Sequence, residues 1–215
     1  MSTTVTIAWI PIIKDAESSS ALAELKALKD QKLAVAGLEH AYHGAATDPN
    51  EPKAIEIVDV WSSPDAAKAA AESPQAAAMK KLLEEILDKS NPEARPVHNL
   101  FTLTGDFVKV AEAPVTQFAV TFVPPASATD FEAAFNEVVK ACGSPDGFVA
   151  GAHGWGAEEV DHPKAGKVKA FLSTSGWVSE EKAKAGGAGA QKTFEPLRKF
   201  TDHHHLRTTI LTKDK

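Results

Sequence analysis

The sequence predicts an α+β fold built from two diverged copies of one unit, residues 1–105 and 115–215, with a linker at 106–114. Three features occur in the same order in both halves: an apolar strand ending in proline, a strand containing His-Gly, and a strand ending in tryptophan. A repeated order of this kind indicates an internal duplication. We therefore expect one chain to form a pseudo-dimer. The matching segments are 5–11 with 118–124, 41–44 with 151–154, and 57–61 with 173–177.

Helix signals separate these strands. Ser63 and Ser73 are each followed by proline, which is typical of a helix start. In the second copy, Thr129 and Glu132 have the spacing of a capping box. The glycine-rich stretch at 186–189 predicts that the last helix of the second copy breaks or frays. Apolar residues at helical spacing give each copy two helices, although the first helix of the first copy is the weakest.

The order of elements in each copy is β-α-β-β-α-β, which is the ferredoxin-like arrangement. Residues 99–104 and 206–212 supply the last strands. The first strand is apolar on both faces at residues 7–10, so both faces need a cover. Helices on one face and a second sheet on the other meet that need. The sequence thus predicts tandem ferredoxin-like repeats that form a single-chain, pseudo-dimeric α+β barrel.

Composition excludes several classes of protein. The net charge of −6 and the sequence pI near 5.8 disfavour binding to nucleic acid or to an anionic membrane. No apolar run is long enough to span a bilayer, and the amino terminus lacks a basic leader. Cys142 is the single cysteine, which is typical of a reducing compartment, and we expect a cytoplasmic protein. We expect Cys142 to be an inert thiol on an apolar helix face.

The stretch 55–87, with Trp61 followed by Ser-Pro-Asp and then by Ser-Pro, resembles the antibiotic biosynthesis monooxygenase family of dimeric α+β barrels. The resemblance implies a pocket between the sheet and the helices of each copy, with Trp61 and Trp177 as pocket tryptophans. Family members include cofactor-independent oxygenases and cyclases of aromatic polyketides and haem-degrading enzymes. The asparagine that catalytic relatives often carry on the first strand is absent from 5–10 and 118–123. The iron-binding histidine of the haem-degrading relatives is replaced by Ala71 and Glu72.

Histidines and aromatic residues are the candidate site residues. His43 and His153 occupy matching positions, and an imidazole transfers protons near neutral pH, so we predict them as catalytic residues. The alternative is that each is a half-exposed histidine that bonds a neighbouring group. Aromatic rings suit planar ligands, and an indole N–H orients them. The predicted substrate-binding residues are Trp61, Trp177, Trp9, Tyr42 and His98.

Cofactor and metal signals are weak. The run of histidines at 203–205 has no acidic or cysteine partner at defined spacing, so we predict no metal site. No glycine-rich segment has the spacing of a dinucleotide or phosphate loop, and we predict no cofactor. The expected partner is a small molecule, and the chain is expected to be a monomer or a weak homodimer.

The leading functional hypothesis is a cofactor-independent oxygenase or cyclase. It would act on a planar, partly apolar substrate, aromatic or polyketide-like, in a pocket between sheet and helices. Two alternatives stay open: a non-catalytic ligand-binding or stress-associated barrel protein, and a haem-binding protein. The first copy carries the fuller motif, and the glycines of the second predict a looser or remodelled site.

Overall fold

The computed structural model describes residues 2–11, 32–46, 54–87, 97–201 and 203–215. The first helix predicted for the first copy falls almost entirely at 12–31, outside these residues. The strands are β1 (Ser2–Pro11), β2 (Leu38–Ala46), β3 (Ala54–Trp61), β4 (Val97–Gly105), β5 (Val115–Val123), β6 (Phe148–His162), β7 (Gly166–Trp177) and β8 (His204–Lys213). The helices are α1 (Pro64–Ala71), α2 (Pro74–Ile86), α3 (Phe107–Ala111), α4 (Ala128–Cys142) and α5 (Glu180–Phe194), with 3₁₀ turns at Pro125–Ser127 and Glu195–Leu197.

Both copies have the same strand order. Hydrogen-bonded neighbours run β4-β1-β3-β2 in the first copy and β8-β5-β7-β6 in the second, which is the ferredoxin-like order in each. The eight strands form an antiparallel barrel. The predicted α+β fold of tandem ferredoxin-like repeats is therefore confirmed.

Strand register refines the alignment of the two copies. Thr4 of β1 lies opposite Trp61, and Val115 of β5 lies opposite Trp177. The register therefore aligns β1 with β5 two residues away from the sequence alignment, which matched Pro11 with Pro124. Because strand side chains alternate with a period of two, the same residues still face the helices.

The chain divides into two compact units. One contains Thr3–Leu100 and Ile210–Lys215, and most of the other is Phe101–Thr209. The predicted linker contains helix α3, whose Phe107, Val110 and Ala111 are buried. The predicted domain boundaries stay a prediction.

Two of the predicted helix starts are formed as expected. The Ser63 hydroxyl accepts a hydrogen bond from the backbone N–H of Ala66 at 3.1 Å. The Ser73 hydroxyl accepts one from Ala76 at the same distance. These bonds satisfy amide groups that are free at a helix start, so α1 and α2 begin at the prolines that follow each serine.

The capping box predicted for α4 is wrong. The helix begins at Ala128, and its N-cap residue Ser127 makes no side-chain cap bond. The Glu132 carboxylate instead accepts a hydrogen bond from the indole N–H of Trp155 at 2.8 Å. The Glu132 carboxylate thus bonds to Trp155 on another element, instead of to the backbone at the start of α4.

The predicted break in α5 is also wrong. The helix is continuous from Glu180 to Phe194, through all three glycines. A methyl group at Gly186 would lie 2.7 Å from Cζ3 and 2.9 Å from Cζ2 of Trp177, and closer still to Cη2. Glycine is therefore the residue that lets α5 lie directly on this tryptophan.

Candidate functional site

A cavity of about 560 Å³ lies inside the first copy, between the sheet and the helices. Alternate residues of β1 and β3 form its floor, and small and apolar residues of α1 and α2 form its opposite wall. An open groove beside it, along Ala34, Ala36 and Ala69, shares several wall residues with it. The described lining residues of the cavity are Thr6, Ala8, Ile10, Lys32, Val35, Ile57, Asp59, Trp61, Ala67, Ala70, Ala71, Ser73, Gln75, Ala76, Met79, Lys80, Leu83, Glu84 and Leu87.

A buried ion pair lies in the wall of this cavity. The ammonium nitrogen of Lys32 is 2.6 Å from Oδ1 of Asp59, and the two side chains are 18% and 9% exposed. Asp59 shares a strand face with Trp61, two residues further along β3. Charged side chains in a mostly apolar cavity wall are unusual, because charges are costly to remove from water.

Trp61 is held rigidly at the same wall. Its indole N–H donates a hydrogen bond to the hydroxyl oxygen of Thr6 at 2.9 Å, and both side chains are buried. The ring packs with Leu38 and Ala67. Because the N–H already has a partner, the part of Trp61 offered to a ligand is its aromatic ring. The structure thus places this predicted site residue at the cavity.

An aromatic cluster packs between α4 and the strands β6 and β7 of the second copy. The ring centroid of Phe131 lies 5.1 Å from that of Phe171 and 5.9 Å from that of Trp155, and Phe135 lies 4.8 Å from Phe171. Val123, Val138 and Leu197 complete this buried cluster. The looser or remodelled site predicted for the second copy stays a prediction.

Trp177 has a different environment from its counterpart Trp61. Its indole N–H donates to the Ser175 hydroxyl at 2.8 Å, and Phe148 packs edge-on at 5.7 Å. Ser175 lies two residues before Trp177, as Asp59 lies two residues before Trp61. The second copy thus has a hydroxyl group at the position of the Asp59 carboxylate.

His43, Trp9 and Tyr42 are not among the described lining residues of the cavity. His43 has a side chain that is 49% exposed, and its Nδ1 lies 2.9 Å from both carboxylate oxygens of Asp214. Trp9 and Tyr42 are buried on the opposite strand face from Trp61. His98 belongs to β4, and its side chain is outside the described part of the structure.

His153 of the second copy is half-buried among phenylalanines. Its ring centroid lies 5.0 Å from that of Phe135 and 5.9 Å from that of Phe171. Burial lowers the pKa of His153 below its ordinary 6.5, and the negative charge of Glu132 opposes that shift. The imidazole therefore favours its neutral form in the folded protein.

Asp59 and Lys32 were not predicted as site residues from the sequence. A signal for Asp59 was present, because an acidic residue on the apolar strand 55–61 shares a face with Trp61. Lys32 gives no such signal, since it meets Asp59 only through the tertiary fold.

Haem and metal ions each require particular ligand side chains. Haem iron is held by His, Cys, Met or Tyr. Among the described lining residues only Met79 is of these types, so this part of the cavity does not fit a histidine-ligated haem. In the described ranges no group of three or more His, Cys, Asp or Glu is placed to hold a metal ion. None of the described helices is long and apolar enough to cross a bilayer.

Comparisons with known proteins identify the fold. No protein-family model matches the sequence, and no curated protein matches it. A proposed monooxygenase from Lactobacillus acidophilus NCFM is similar at 12% identity, over 99% of this chain and 96% of that chain, with a TM-score of 0.59. A proposed monooxygenase from Fusobacterium nucleatum is similar at 10% identity, over 98% and 93% of the two chains, with a TM-score of 0.65.

An anthrone oxidase-like protein is similar at 12% identity, over 98% of this chain and 91% of that chain, with a TM-score of 0.67. At such low identities the likeness shows the fold. The chain is an α+β barrel protein. It shares the fold of these three solved structures, and both ferredoxin-like copies lie in one chain, as the sequence predicted.

Proposed function

We propose that the first copy binds a planar, partly apolar small molecule in its cavity and oxidises it with O₂, without a tightly bound cofactor. The observation that carries this proposal is the cavity itself, in which an apolar chamber contains the ring of Trp61 and the Lys32–Asp59 pair. A volume of about 560 Å³ is in the range of small-molecule sites.

The shape of the cavity favours a flat ligand. Trp61 is fixed by its bond to Thr6, and alanines at 67, 70 and 71 lie on the helix that faces the sheet. Short side chains on one wall and a rigid aromatic ring on the other leave a slot for a ring system. Stacked or edge-to-face contacts with the indole would add to the free energy of burying apolar surface.

The ion pair supplies acid–base chemistry. The Asp59 carboxylate can accept a proton from an acidic C–H group of the ligand, and this leaves negative charge on the ligand oxygen. Lys32 then faces a neutral Asp59 and a ligand oxyanion, so the charges in the cavity remain balanced. The electron-rich ligand is the species that reacts with O₂. The proton-transfer roles predicted for His43 and His153 stay predictions.

Anthrone is the test substrate, because one structural neighbour is described as anthrone oxidase-like. The methylene carbon loses a proton to Asp59 and forms a bond to oxygen, and loss of the second hydrogen with O–O cleavage gives the quinone. One oxygen atom ends in the new carbonyl and the other in water. The carbon is thereby oxidised and O₂ is reduced.

O₂ uptake and quinone absorbance should be measured together on the full chain. Asp59→Asn removes the proton acceptor, and we expect a loss of turnover of about 10²- to 10⁴-fold. Asp161→Asn changes an exposed carboxylate near the end of β6 and should turn over like the parent protein. Equal turnover in Asp59→Asn and Asp161→Asn would refute the role of Asp59.

A fluorescent probe distinguishes ligand binding by the cavity from turnover of a substrate. N-phenyl-1-naphthylamine is planar and apolar, and its fluorescence rises in a dry pocket. Probe binding without any O₂ uptake on anthrone would favour the non-catalytic ligand-binding alternative. A hemin titration with a specific Soret shift would instead favour haem binding.

A further inference from the structure

The segment Asp214–Lys215 bonds to the first copy at several points. The backbone N–H of Asp214 donates to the Ala41 carbonyl at 2.7 Å, and its carboxylate accepts from Nδ1 of His43 at 2.9 Å. The ammonium of Lys215 donates to the Leu33 carbonyl at 3.0 Å. All of these residues belong to the compact unit that contains the cavity.

The last of these bonds reaches the wall of the cavity. Leu33 directly follows Lys32, whose ammonium pairs with Asp59. Leu33 and Val35 both pack against the cluster that contains Trp61, and Val35 also lines the cavity. Lys215 therefore holds the backbone carbonyl of Leu33, the residue that directly follows Lys32.

His43 and Asp214 anchor this arrangement. A carboxylate is an acceptor only, so Nδ1 of His43 carries the proton in this bond. The bond holds Asp214 against β2, and the adjacent Lys215 is thereby kept within reach of Leu33.

We infer that Lys215, with the His43–Asp214 pair as its anchor, is a positioning residue for the Lys32 wall of the cavity. The inference rests on the proposed function, because it assigns a positioning contact to the same ligand site. His43 acts on the site through Asp214 and Lys215, and it does so without touching the ligand.

Substitutions at Lys215 test the inference. Lys215→Met removes the donor and keeps the length of the side chain. We expect its affinity for N-phenyl-1-naphthylamine to fall about two- to ten-fold, the range for losing one ordinary hydrogen bond. Lys215→Arg keeps a donor and should restore the affinity. Lys81→Met, at an exposed position of α2, is the matched control and should bind like the parent protein.

Substitutions at His43 distinguish anchoring from proton transfer. Asparagine keeps an N–H donor near the position of Nδ1 but does not act as a base near neutral pH, whereas phenylalanine removes the donor. We expect His43→Asn to keep both affinity and anthrone turnover, and His43→Phe to lose affinity as Lys215→Met does. Full affinity in His43→Phe, or lost turnover in His43→Asn, would overturn the inference.

Hydrogen exchange gives a readout that needs no ligand. The amides of Val35 and Leu38 donate to the Lys32 and Val35 carbonyls at 3.0 and 3.3 Å. We expect both to exchange faster in Lys215→Met than in Lys215→Arg or Lys81→Met. Unchanged exchange would reject the positioning role while leaving the proposed function intact. A parent protein that binds no probe would reject the proposed function, even if exchange responds.

Discussion

Gly186 of α5 lies directly against the indole ring of Trp177, and there is no room for a side chain between them. The same helix carries Gly187 and Gly189, where a methyl group would have no neighbour within 4 Å. Three glycines that look equivalent in the sequence therefore have different roles. One is required by packing, and the other two are not.

Alanine substitutions at these glycines should have opposite effects. Gly186→Ala forces α5 away from Trp177, and we expect a loss of about 1 to 3 kcal/mol in the free energy of unfolding. Gly187→Ala meets no neighbour and should gain up to about 1 kcal/mol from its higher helix propensity. Urea unfolding of both variants checks this. A gain in both would mean that the contact with Trp177 is readily relieved.

The Lys32–Asp59 pair should contribute more to stability than an exposed pair of equal length. Lys140 and Glu137 are also 2.6 Å apart, but both side chains are 73% exposed. Lys32→Met leaves Asp59 buried without this ammonium, and we expect a loss of about 3 kcal/mol in the free energy of unfolding. Lys140→Met should change it by at most about 1 kcal/mol. Similar losses in chemical denaturation would argue against burial as the reason.

Filling the cavity should abolish ligand binding without unfolding the chain. Ala76 of α2 lines the cavity, whereas its neighbour Ala77 is exposed. Ala76→Phe places a ring in the ligand space, and we expect the affinity for N-phenyl-1-naphthylamine to fall at least about ten-fold, as for losing most of a buried contact surface. Ala77→Phe should bind like the parent protein. If the two variants bind alike, the probe occupies another place.

The stability of the protein should fall below about pH 6.5, partly because of His153. Its folded-state pKa lies below the ordinary 6.5, so the unfolded chain binds more protons in the window just below that value. The stabilisation is present above the unfolded pKa and is lost as the pH falls through the window. His153→Gln should flatten this part of the stability profile.

His162 needs its own control in that experiment. Burial, and then the charges of His203 and Lys164, lower the pKa of His162, so it contributes in the same direction. His162→Gln therefore serves as the comparison, and the double variant should be flatter than either single one. A profile in which His153→Gln matches the parent protein would contradict the effect of burial.

The fold could be predicted from the sequence because its signals are local and occur twice. Ser63 and Ser73 cap helices by contacts within three residues, and repeated strand patterns fix the order of elements. Glu132 and Gly186 were misassigned because their partners lie on other elements: Trp155 is on β6, and Trp177 ends β7. Local sequence patterns favoured a helix cap at Glu132 and a helix break at Gly186, but tertiary contacts determined both positions.

The candidate site was only partly predictable for the same reason. Trp61 was selected from a motif, and the structure places it at the cavity wall. Asp59 shares its strand face and could have been found by the period-two rule. Lys32 could not, because its pairing with Asp59 depends on how the chain folds back over β3.

The different residues at matching positions of the two copies have a consequence for how this chain can change. In an assembly of two identical chains, each substitution occurs in both subunits, so a change that stabilises one site also alters the other. Here the chain has Asp59 in the first copy and Ser175 at the matching position of the second. Substitutions in the second copy can therefore change the stability of the chain without replacing either side chain of the Lys32–Asp59 pair.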